Sequence, residues 1–73
     1  MIDRNELKKL LRERLPYQIT GAQIERLADK LIEIERPTEQ DMERISQEIT
    51  GSRLIVESLD IDDIITILDQ ADK

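Results

Sequence analysis

The chain has 73 residues and carries 17 Asp and Glu against 11 Lys and Arg, a formal net charge of −6, and it contains no Cys, His, Phe or Trp. Without Cys there is no disulfide framework or thiolate nucleophile, and without His there is no imidazole base, imidazole metal ligand or histidine pH switch. A chain this short buries only about 60% of its unfolded surface. One domain over residues 1–73 is therefore expected, with oligomerisation or docking on a partner as the remaining supplement to its stability.

The apolar fraction is 38%, built mainly from 12 Ile and 9 Leu, which is enough for a core. No apolar run approaches the ~20 residues needed to span a bilayer. The opening Met1-Ile2-Asp3-Arg4-Asn5-Glu6 has no secretory apolar region, so cytoplasmic residence without a membrane segment is the expectation.

Helical period fits nearly everywhere. Leu7, Leu10 and Leu11 recur at i, i+3 and i+4, Leu15 follows one turn later, and Asp3 or Asn5 can cap the start. Pro16 stops this segment, because a residue before proline is pushed out of α geometry. The first helix is expected over roughly 4–14. Thr20 and Gln23 have the spacing of a capping box, and Ile19 with Ile24 that of a hydrophobic staple. A stripe of Ile24, Leu27, Ala28 and Leu31 follows until Pro37 intervenes, predicting a second helix over roughly 21–35.

Thr38 can cap a third helix over roughly 39–49, with Glu39 and Asp41 complementing its dipole. Met42, Ile45 and Ile49 form its thin apolar stripe, and Gly51 suits the left-handed position beyond its end. Leu54-Ile55-Val56 reads equally as an extended stretch or a helical turn. Asp60 can cap a last helix over roughly 61–71, in which Ile61, Ile64, Ile65, Leu68 and Ala71 form the stripe and Ile67 falls off it. The expected fold is all-α, a small four-helix bundle of short helices. There is no internal repeat and no low-complexity segment.

Charge divides unevenly. Residues 1–15 hold five cations against three anions, a balance of +2, and residues 54–73 hold one against six, a balance of −5. Asp60, Asp62 and Asp63 resemble a fragment of a cation loop, but the central Gly and terminal Glu of such a loop are missing. Their pattern suits negative charge at a helix start, so no metal and no other cofactor is implied. Ser46, Ser52 and Ser58 have no histidine to activate them. With Gly21 and Gly51 the only glycines, there is no phosphate-cradling loop. The chain therefore reads as a non-enzyme with no evident small-molecule substrate.

The second and third helices have the outline of a helix-turn-helix. The third, however, carries Glu39, Asp41, Glu43 and Glu48 against Arg44 alone, which repels phosphate. Lys8, Lys9 and Arg12 of the first helix are the residues a nucleic-acid-binding reading would use. The acidic balance and the single aromatic, Tyr17, disfavour that reading. Tyr17 itself, placed after Pro16, is either a packing residue or an interface anchor.

An interaction role fits better. Nine large aliphatics lie among the fifteen residues from Leu54 to Leu68, more than one face of a short helix can bury. This predicts an aliphatic contact formed by Ile55, Val56, Ile64 and Ile67 with an acidic rim of Asp62, Asp63 and Asp69. The partner is another protein or a second copy of this chain, and the role is that of a small regulatory, inhibitor or adaptor protein. No stretch carries a family signature.

Overall fold

A computed structural model describes all residues from Met1 to Lys73. It is all-α, with helices α1 (Arg4–Arg14), α2 (Gly21–Ile34), α3 (Glu39–Thr50), α4 (Leu54–Ser58) and α5 (Ile61–Ala71). Four of them occupy the segments expected from periodicity. The fifth, α4, resolves the ambiguous Leu54-Ile55-Val56 stretch as one short helical turn.

Each long helix begins where a side chain can accept its first free amides. Asp3 accepts from the amides of Asn5 and Glu6, and Asp60 accepts from that of Asp63 at 2.8 Å. Thr20 and Gln23 exchange reciprocal bonds at the start of α2, and Thr38 and Asp41 do the same at the start of α3. Ile19 and Ile24, on either side of the Thr20 cap, are both buried, as a hydrophobic staple requires.

The helix ends follow from proline and glycine. Leu15, before Pro16, is extended at ψ 150°. Gly51 closes α3 in the left-handed region at φ 71°. The end of α2 is strained: Glu35 has φ 68° and ψ −50°, and the Arg36 amide donates to the Ile34 carbonyl at 2.8 Å. This is a γ-turn of the rare positive-φ kind. Pro37 is buried two residues later and keeps Arg36 out of α geometry, so the reversal is compressed onto Glu35.

α1 and α2 pair antiparallel, with Arg4 on Asp29 at 2.7 Å and Lys8 on Glu25 at 3.3 Å. α5 returns antiparallel along α1, tied by Arg14 to Asp63 at one end and by an Ile2–Asp72 backbone bridge at the other. The buried hydrophobic set contains only Leu, Ile, Ala and Met. It runs continuously through all five helices and includes Leu15, Ile19 and Leu59 from the connections.

Ser46 is the one buried polar side chain other than backbone groups. Its hydroxyl donates to the Ser52 carbonyl at 2.8 Å and accepts from the Ile55 amide at 3.2 Å. α4 lacks a side-chain cap of its own at Arg53; the Ser52 hydroxyl accepts from its first amide, that of Leu54, and Ser46 of α3 accepts from its second, that of Ile55. Ser46→Ala leaves the buried Ile55 amide without its partner, while the exposed Ser52 carbonyl keeps the Thr50 hydroxyl at 3.2 Å. It is expected to cost about 1–3 kcal/mol, read as a lower midpoint in urea unfolding with an unchanged slope.

Candidate functional site

The structure alters the expected aliphatic contact. Ile55, Ile64 and Ile67 are buried, Ile67 with only 1% of its surface exposed, and none of the three forms a free surface. At about 100° per residue, Ile64, Ile67, Leu68 and Ala71 stand at i, i+3, i+4 and i+7 and share one arc. This arc, not the Ile61–Ile65 side, faces the core. Ile67 belongs to the buried face, and Ile61 and Ile65 are the residues left at its margin, partly exposed. Ile55 is the buried residue of α4.

The acidic residues also separate. Asp63 is ion-paired with Arg14 at 3.1 Å, while Asp62 and Asp69 are exposed and form no ion pair. No three acidic side chains converge as a metal-binding group.

Val56 survives as a surface residue. It is half-buried beside Ile61 over the nearly buried Met42, in a groove of about 220 Å³ between α3, α4 and the start of α5. Glu39, Glu43, Arg53 and Asp60 form its rim. Arg53 grips Glu43 with two nitrogens, Nη2 at 2.7 Å and Nε at 3.1 Å. That bond holds the Glu43 carboxyl below its ordinary pKa. Glu39 and Asp60 have no cationic partner, so the rim keeps an excess of negative charge. The volume lies below the ~300–1,000 Å³ of typical small-molecule sites and suits an inserted side chain.

The structure brings Lys8, Lys9 and Arg12 together along one open recess between α1 and the start of α2, which Glu25 shares. Lys8 pairs with Glu25. Arg12 turns inward along the surface and donates to the carbonyls of Ile19 at 2.7 Å and Pro16 at 2.9 Å. Of the three, only Lys9 is without a protein partner.

Those Arg12 bonds brace the α1–α2 connection. The Ile19 amide also donates to the Pro16 carbonyl at 3.0 Å, and Leu15 and Ile19 anchor both flanks in the core. At the tip stands Tyr17, 88% exposed. The chain's only aromatic is thus a projecting side chain on a braced turn, and its role as a packing residue is ruled out. Its place directly after Pro16, in the short connection between two helices, is the signal available in the sequence. Met42, Ile61 and the unpaired rim carboxylates had none, because the groove is made by residues far apart in the chain.

Comparison with protein families, curated proteins and solved structures returns no match.

Two outcomes follow from this geometry. Ile67→Asp places a carboxylate in an apolar core with no cation beside it; loss of the cooperative unfolding transition and of helical circular dichroism is expected, rather than a folded protein with an altered surface. Acid should also destabilise the fold. Arg4 hydrogen-bonds Asp29, Arg53 hydrogen-bonds Glu43, and the Thr38 amide hydrogen-bonds Asp41, and each bond lowers the pKa of its carboxyl in the folded state. The unfolded chain therefore takes up protons first, and these contributions, full above the ordinary carboxylate range of about 4, are lost as pH falls through the lower folded values. Thermal midpoints should decline on acidification below about pH 4, and Asp29→Asn should flatten that decline.

Proposed function

We propose that this protein is a non-catalytic interaction module, regulatory, inhibitory or adaptor-like, that binds a protein partner through the acidic-rimmed groove between α3, α4 and α5. The observation that carries this reading is the pairing of Val56 and Ile61. They remain accessible over Met42 while Ile55, Ile64 and Ile67 are taken up by the core. Apolar surface recessed within a charged rim gives a partner both area and orientation. The retained positive charge of Arg53 is already committed to Glu43, which leaves Glu39 and Asp60 to favour a basic contact.

A nucleic-acid-binding role on α1 draws less support. Lys8 is paired with Glu25, which shares the recess, and the exposed residues of α3 include Glu39 and Glu48, which oppose a phosphate backbone.

The test uses Val56→Lys on the immobilised protein, with Lys9→Glu as the control on α1. Val56→Lys should keep its helical circular dichroism and reduce the amount of protein partner retained by at least about tenfold, the effect of removing an interface hot spot. Lys9→Glu should leave retention unchanged. Undiminished retention by folded Val56→Lys, or loss on Lys9→Glu alone, would falsify the groove as the binding surface.

A further inference from the structure

Two surface features of this chain are complementary in shape and in charge. One is a projection: Tyr17, 88% exposed at the tip of the turn, held by Arg12 on the Pro16 and Ile19 carbonyls. The guanidinium that braces the turn also makes it cationic, since both of its contacts there are neutral carbonyls. The other is the recess of about 220 Å³ floored by Met42, Val56 and Ile61, with Glu39 and Asp60 unpaired at its rim.

We infer that the groove's occupant is a second copy of this chain, whose Tyr17 inserts over Val56 and Ile61 while its Arg12 faces Glu39 and Asp60. This rests on the groove reading above and names its partner. Three physical points support it. A tyrosine buries about 150–250 Å² on insertion, with two side-chain torsions to fix. The turn is already ordered through Leu15, Ile19 and the Arg12 bonds, so little backbone entropy is lost on docking. Arg12 keeps an uncompensated charge at the turn while Glu39 and Asp60 have no cation at the recess, so the contact brings unlike charges together.

Each copy then presents one projection and one recess, and the contact is heterologous, with each copy free to engage a further one. A single inserted side chain gives a small interface, so the association is weak and concentration-dependent. The overall charge of −6 opposes it at low ionic strength, and screening relieves that repulsion.

Analytical ultracentrifugation over a concentration series tests the inference with the protein as its own ligand. The wild type should show a rising weight-average mass. Tyr17→Ser, at a fully solvated position, and Val56→Arg should each weaken self-association by about tenfold or more. An equimolar mixture of the two should recover a 1:1 complex that grows no further, because the intact recess of the first variant accepts the intact Tyr17 of the second. Glu39→Lys, on the exposed rim, replaces Val56→Arg if the latter does not fold. A wild type that is monomeric throughout, self-association unchanged in Tyr17→Ser, or a mixture of folded variants that forms no complex overturns the inference. If Val56→Lys still loses a different protein partner in the retention assay while Tyr17→Ser self-associates normally, the groove stands and only its assignment to a second copy fails.

Discussion

The fold depends on one constraint, the burial of an entirely aliphatic core in a chain too short to have surplus. With no Phe or Trp and with Tyr17 at the surface, every large buried side chain is Leu, Ile or Met. Such side chains offer shape and area but no polar handle, so the core is specified by interdigitation alone. α1 contributes Leu7 and Leu11, α2 four residues from Ile24 to Leu31, and α5 another four from Ile64 to Ala71. The C-terminal excess of isoleucine thus serves the interior. It is what allows a chain without disulfides to bury a continuous core through all five helices.

Polar groups set the shape of what remains outside. Ser46 draws α4 back onto α3 through the Ser52 carbonyl and the Ile55 amide, and Arg53 ties the same connection to Glu43. The groove exists because α4 is folded over α3 in this way and leaves Val56 and Ile61 at the seam. Arg12 performs the corresponding task at the α1–α2 connection, converting the segment from Pro16 to Gly21 into a fixed turn. Both surface features proposed to act in binding are therefore products of the same economy: local polar bonds hold connecting segments that have no long helix of their own.

Much of this was legible in the amino-acid order. Capping residues such as Thr20, Thr38 and Asp60 act over three or four positions, and their spacing alone located the helix starts. Pro16 and Pro37 act on their immediate neighbours and located two of the ends. The orientation of α5 was less accessible. Ile61, Ile64, Ile65, Ile67 and Leu68 cover an arc of about 160°, wider than the face the core takes, and the choice of which edge turns inward is made by α1 packing against it. Periodicity consequently places Ile67 on the surface and Ile61 in the core stripe, whereas Ile67 is buried and Ile61 half-buried at the margin. α4 is only five residues long, and its first turn depends on Ser46 nine positions earlier, a dependence no local pattern carries. The groove brings together α3, α4 and α5, and the solvation of Tyr17 follows from how Leu15 and Ile19 are anchored.

The central claim is that the aliphatic C-terminal segment is structural, leaving only its margin for binding. Native-state amide hydrogen exchange tests it most directly. The account predicts that α5 amides at Leu68 and Ala71 exchange only through global unfolding, with the same free energy as α1 amides at Leu11. Exchange of α5 through a separate, lower-energy opening while α1 stays protected would contradict it, because the isoleucines would then belong to a detachable segment and not to the common core.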